Sequence, residues 1–156
     1  MIETSDATTS GGARSETALV LATNLDDATP EVIGHTIARA LELGADDAWA
    51  VPVVMKKNRP GHELRVLCRP ELGATMEALV FAETGTLGLR RELVTKQVLD
   101  RHQRVVSMRG QEVRIKVGPH GAKPEFDDLA ALSRATGIPL RLLAAEALAL
   151  DSNRSM

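Results

Sequence analysis

ALVLATNLDDATPEVIGHTIARALELGADDAWAVPVVMKKNRPGHELRVLC, residues 18–68, is the stretch on which the fold class turns. Its first seven residues, ALVLATN, form an apolar run suited to a buried strand. Thr29, Pro30 and Glu31 then supply an N-cap, a first-turn proline and a first-turn acid. The helix they open gathers Ile33, Ile37, Ala40 and Leu41 on one face, and Gly44 closes it. Glu31, His35, Arg39 and Glu42 form the opposite stripe, so His35 reads as a solvated helix residue rather than a ligand. Residues 47–55 predict a second strand, with Trp49, Val51, Val53 and Met55 sharing a face. Pro52 cannot donate to a ladder, which marks an edge or bulged strand. After the loop at 56–62, residues 63–69 predict a third strand.

Working outward, Pro70 and Glu71 open a second helix whose inner face carries Leu72, Met76, Leu79 and Val80. GTLGLRRELVTKQVL, residues 85–99, leads into a fourth strand. The order βαββαβ is that of a split ferredoxin-like sandwich in an α+β fold. Residues 103–109 and 112–118 read as a hairpin around Arg109-Gly110-Gln111, with Val113, Ile115 and Val117 inward. Two short helices follow, one opening at Pro124 and ending at Gly137, the other opening at Pro139, and DSNRSM is expected to fray. The expected organisation is a tail or linker at 1–16, a ferredoxin-like unit at 17–100, and a hairpin with two helices at 101–150 packed on it.

Composition narrows the function classes. The chain has 156 residues, 44% hydrophobic and 26% charged, with a formal charge of −2, so neither nucleic acid nor an anionic membrane is an expected partner. Phe81, Phe126 and Trp49 are the only aromatic side chains, and the two strands expected at the sheet centre, ALVLATN and ELRVLCR, have none. That argues against RNA recognition by stacking on a sheet. A single cysteine, Cys68, rules out a multi-cysteine metal site and reads as a small buried hydrophobe. The N-terminus lacks the basic start and apolar run of a secretory signal, and no apolar run is long enough to span a bilayer, so the cytoplasm is the expected location.

Four loops are more polar than the scaffold needs. Asp26 and Asp27 follow the first strand as hard oxygen ligands suited to Mg²⁺ or Mn²⁺ carrying a polyphosphate, or as acids favouring a helix N-terminus. Lys56, Lys57, Asn58 and Arg59 concentrate positive charge before Pro60-Gly61-His62, which suits a di- or triphosphate. Lysines also guard an edge strand, but that leaves the Asn-Arg-Pro-Gly-His continuation unexplained. Glu83 to Arg91 holds two glycines, two threonines and two arginines, and read alone is a helix-to-strand turn capped by Gly85. No Walker loop occurs in the sequence. At 118–128, Lys123 is unexpected at a helix start, where the dipole disfavours a cation, while His120 is a lone loop histidine.

TNLDDATPE, MKKNRPGHELRVLC, ETGTLGLRR and KPEFDD, in this order, resemble the C-terminal domain of the nickel-insertion (LarC) family, over residues 18–145. The resemblance implies a CTP-dependent nickel chelatase of the lyase class. Such proteins use CTP with Mg²⁺ or Mn²⁺ to place Ni²⁺ into pyridinium-3,5-bisthiocarboxylic acid mononucleotide, forming the nickel-pincer cofactor of lactate racemase-type enzymes. It also implies homo-oligomer assembly. On that footing Asp26 and Asp27 are assigned to the nucleotide's cation and Lys56, Lys57 and Arg59 to its phosphates, with Asn58, Arg90 and Lys123 as further candidates. The family's His-rich N-terminal half has no counterpart in this sequence, so nickel insertion is expected to need that half as a partner. The alternative is a non-catalytic ferredoxin-like regulatory or oligomerisation domain that binds a nucleotide or small anion.

Overall fold

In the computed structural model, which describes residues 13–153, the apolar run at 18–24 is the centre of a longer strand, β1 (Ala13–Leu25). Residues 13–16, expected to belong to a tail, are therefore strand, and residues 1–12 lie outside the described residues. Alternation along β1 sends Leu19, Leu21, Thr23 and Leu25 into the core, and Ala18, on the opposite face, is buried as well.

Helix α1 (Pro30–Glu42) starts where its cap dictates, with the Thr29 hydroxyl accepting from the Val32 amide at 3.4 Å. Its buried face is Ile33, Thr36 and Ala40, with Leu41 46% exposed. The expected stripe is thus rotated toward Thr36, which a core can accept because its hydroxyl donates to the Val32 carbonyl at 2.8 Å. Strands β2 (Asp47–Met55) and β3 (Arg59–Cys68) form an antiparallel hairpin, and β3 also pairs antiparallel with β1. A 3₁₀ turn at Pro70–Leu72 leads into α2 (Gly73–Thr84), and Gly85 caps that helix with a left-handed φ of 66°. Strand β4 (Arg90–Leu99) completes a sheet of order β2-β3-β1-β4.

This is the ferredoxin-like α+β arrangement, with β1 and β3 central and the proline-bearing β2 on an edge. Leu19, Leu21, Leu64, Val66 and Cys68 of the sheet join Ile33, Met76, Leu79 and Val80 of the helices in one buried cluster. Each large side chain so buried contributes about 1.5–3 kcal/mol of transfer free energy. On β2 the core face is Ala48 and Ala50, so Trp49 and Val51 share the face turned away from the helices. Small residues there let α1 approach an edge strand.

The chain forms two compact units, one of Ser15–Gln97 and a second that joins Val98 onward to the start of β1 through Arg14. The second carries β5 (His102–Met108), β6 (Gln111–Gly118), β7 (Gly121–Pro124), α3 (Phe126–Thr136) and α4 (Leu140–Asn153). The β5–β6 turn is two residues, Arg109 and Gly110, at φ 53° and 78°, the left-handed pair a tight hairpin needs. Val106, Met108, Val113 and Ile115 of the strands form a core of their own with Leu129, Leu132, Leu143 and Ala147 of the helices.

Two expectations are corrected here. Pro124 does not open α3: it is the buried last residue of β7, opposite Ile115, and Glu125 takes the N-cap position without a side-chain capping bond. Lys123 consequently lies on an edge strand opposite Lys116, and the helix-dipole conflict that singled it out does not arise. Residues 151–153, expected to fray, belong to α4, where the buried Asp151 carboxylate accepts from Arg104 Nη2 at 2.8 Å.

Candidate functional site

Met55 pairs directly with Arg59, so β2 reverses into β3 through Lys56, Lys57 and Asn58 alone. So short a turn needs unusual torsions, and two non-glycine residues take them: Lys57 at φ 64°, ψ 24° and Asn58 at φ 56°. Asparagine tolerates that region well, whereas for lysine it costs about 1–2 kcal/mol. The turn therefore presents Lys56, Lys57 and Arg59, all exposed, within four consecutive positions.

Gly61 explains where the turn sits. A Cβ on Gly61 would lie 2.6 Å from the Leu25 carbonyl oxygen and 2.8 Å from Met55 Sδ, too close for any side chain. Glycine lets the hairpin close on the end of β1, with Leu25 opposite His62. That seating brings Arg59 Nη1 to Asp26, where it donates to Oδ2 at 3.0 Å. The hydrogen bond from Arg59 holds the Asp26 carboxyl below its ordinary range; slight burial opposes this, and the charges of Arg59 and Lys56 reinforce it. Asp26 is thus an ionised carboxylate at the foot of a cationic loop. Beside it opens a mainly apolar cleft of about 520 Å³, walled by Leu25, Pro52, Val54, Pro60 and His62.

One ladder position inward, on β1 and β3, Asn24 lies opposite Glu63. Arg90 of β4 joins them, its Nη2 donating to Asn24 Oδ1 at 2.6 Å and to Glu63 Oε2 at 3.0 Å, and Arg65 also binds Glu63. The preceding loop is tied down by a buried hydroxyl. Thr23 Oγ1 donates to the Gly88 carbonyl at 2.8 Å and lies 2.9 Å from Thr86 Oγ1. Those bonds fix the path of Thr86–Gly88 over the end of β1 while Leu87 stands fully exposed at its tip.

The first unit therefore gathers Asp26, Lys56 and Arg59 at one corner, with Lys57, Asn58 and the exposed Asp27 in the adjoining turns. Arg90 reaches the same strand end through Asn24. Lys123 belongs to the other unit. Thr23, Asn24 and Thr86 lie inside the polar segments marked in the sequence but without individual roles, and Glu63 lies outside all of them. For Glu63 the available signal is a carboxylate in a strand with Arg59 and Arg65 close by in sequence. Cys68 is buried, and burial pushes its thiol up, as expected for a packed rather than reactive cysteine. His35 stands 3.6 Å from Glu83 on the helical surface. Among the described residues no three His, Cys, Asp or Glu side chains converge, and no helix is long and apolar enough to cross a membrane.

Fold and corner together define a ferredoxin-like module that carries a cationic hairpin at one end of its sheet. The chain belongs to the nickel insertion protein family, whose model matches residues 2–144. It is 39% identical over 136 residues to the pyridinium-3,5-bisthiocarboxylic acid mononucleotide nickel insertion protein of Nocardioides sp., a match covering 84% of this chain and 35% of that protein. The protein of the same name from Alkaliphilus metalliredigens is 38% identical over 125 residues, covering 78% of this chain and 30% of its own. The chain spans about a third of the length of the curated relatives it matches. Among solved structures it is similar to LarC2, the C-terminal domain of a cyclometallase involved in synthesis of the NPN cofactor of lactate racemase, in its apo form. The TM-score is 0.79 at 30% identity, covering 89% of this chain and 99% of that one. A protein of Methanopyrus kandleri AV19 also matches, with a TM-score of 0.60 at 30% identity and 90% of each chain covered.

Proposed function

We propose that this chain is the nucleotide-binding part of a nickel insertase. It would take CTP with Mg²⁺ or Mn²⁺ and serve the insertion of Ni²⁺ into pyridinium-3,5-bisthiocarboxylic acid mononucleotide, the compound for which its relatives are named. The observation that carries this reading is the seating of the Lys56–Arg59 turn against an ionised Asp26. A polyphosphate and its cation need both signs of charge side by side, and this corner offers them.

The donor set fits the group. Carboxylates are the hard oxygen ligands that Mg²⁺ and Mn²⁺ prefer, and Asp26 with the neighbouring Asp27 supplies them. Lys56 and Lys57 offer mobile point charges to phosphate oxygens, and Arg59 offers a planar two-pronged donor. The Asn58 amide is a neutral donor in the same turn. Arg90, held by Asn24 and Glu63, keeps a guanidinium beside the strand end. The divalent cation, when bound, neutralises phosphate charge that two carboxylates would otherwise repel. Assembly into a homo-oligomer belongs to the same proposal.

Calorimetric titration of the chain with CTP, with and without Mg²⁺, tests this reading. Saturable binding that depends on the cation is expected. Absence of binding, or equal binding without any divalent cation, overturns it.

A further inference from the structure

Asp26 already has a positive partner. Arg59 Nη1 donates to its Oδ2 at 3.0 Å, and Lys56 adds a second positive charge that favours the ionised carboxylate. A divalent cation arriving alone therefore meets an oxygen in use and two like charges beside it. Polyphosphate changes both conditions. It offers the guanidinium a partner of matching geometry, and it cancels the charge of the lysines. The exchange needs no movement of the core, because Arg59 is 58% exposed and Asp26 25% exposed. Gly61 fixes the backbone between them, so the guanidinium can swing while the turn stays seated on β1.

Resting on the nucleotide reading above, we infer that Arg59 is an internal stand-in for the divalent cation on Asp26, released only when a polyphosphate takes the guanidinium. The cation site is then switched on by the nucleotide, and by linkage the nucleotide site is switched on equally by the cation. Such a device keeps the corner from holding a divalent metal without its nucleotide. In a protein that handles Ni²⁺ as cargo, that prevents the cargo from lodging at the wrong carboxylate.

Electron paramagnetic resonance of Mn²⁺ titrated into the full chain reads this directly, because free aqueous Mn²⁺ loses its signal on binding. In the wild type, CTP is expected to tighten Mn²⁺ binding by a factor in the range of about 5–150 typical of coupled sites. Arg59→Ala is expected to bind Mn²⁺ alone several-fold more tightly than the wild type, and to show less tightening by CTP. Adding Asp26→Asn to Arg59→Ala is expected to return Mn²⁺ binding to the weak level, which assigns the gain to that carboxylate. Thermal melting of each variant verifies that it is folded. If Arg59→Ala binds Mn²⁺ alone no more tightly than the wild type, or if the double variant keeps the gain, the inference is overturned while the nucleotide reading stands. A wild type that binds no CTP at any Mn²⁺ concentration overturns both.

Discussion

Replacing Gly61 by alanine adds one methyl group at the point on which the site's geometry depends. That methyl carbon would stand 2.6 Å from the Leu25 carbonyl oxygen, well inside the 3.4 Å at which ordinary van der Waals contact begins. Its other close neighbour, Met55 Sδ at 2.8 Å, can move aside because it ends a flexible side chain. The carbonyl cannot, since Leu25 is buried and paired with His62 in the ladder. The hairpin must lift from the end of β1, and overpacking of this kind costs about 1–3 kcal/mol. For a unit of this size each kcal/mol moves the melting temperature by about 4–8 °C. Lifting the hairpin also separates Arg59 from Asp26, so CTP affinity in the presence of Mg²⁺ is expected to fall together with stability. Circular dichroism melting and calorimetric titration of Gly61→Ala measure the two effects. A variant that melts with the wild type and binds CTP with equal affinity would refute the claim that the glycine seats the turn.

Other changes separate binding from stability. Lys56→Ala removes an exposed cation from the proposed phosphate site and is expected to weaken CTP binding by about 1.5–3 kcal/mol while leaving the melting temperature nearly unchanged, as calorimetry and melting can verify. Asp151→Ala removes the buried partner of Arg104. With Arg104 itself 38% exposed, the loss is expected at about 1–3 kcal/mol by chemical denaturation, below that of a fully buried pair. In the second unit, hydrogen bonds from Arg114 hold the Asp128 carboxyl below its ordinary value of 3.8. A carboxylate so lowered contributes stability above its unfolded value, and that contribution is lost as pH falls through the folded one. Melting followed below pH 4 is therefore expected to show less acid sensitivity in Asp128→Asn than in the wild type.

The elements that sequence conveyed were those whose physics is local. Thr29-Pro30-Glu31 names a helix start because the cap, the proline and the dipole all act within one turn. Pro52 names an edge strand because a missing amide cannot serve two neighbours. What stayed hidden depended on partners far along the chain. Trp49 and Val51 outweigh Ala48 and Ala50 in any count of hydrophobicity, yet the alanines face the core because α1 needs room there. Strand β7 is four residues of Gly-Ala-Lys-Pro, with no alternation of its own, and exists only because β6 offers it an edge. In the candidate site, the charged turn and the acidic pair were legible as composition. The pairing of Arg59 with Asp26 was not, since 33 residues separate them and their approach depends on the β1–β3 register and the close seating that Gly61 permits. Thr23 reads as one more strand residue until the Gly88 carbonyl folds back onto it.

The central claim is that the Lys56–Arg59 turn and Asp26 form one site for a nucleotide's phosphates and cation. A crystal structure of the chain grown with CTP and Mn²⁺, with anomalous scattering to locate the metal, tests it most directly. The expected result is a manganese peak in coordination contact with the Asp26 or Asp27 carboxylate, phosphate oxygens against Lys56 and Arg59, and the Arg59–Asp26 hydrogen bond broken. An ordered nucleotide bound elsewhere, with Arg59 still on Asp26, would contradict it.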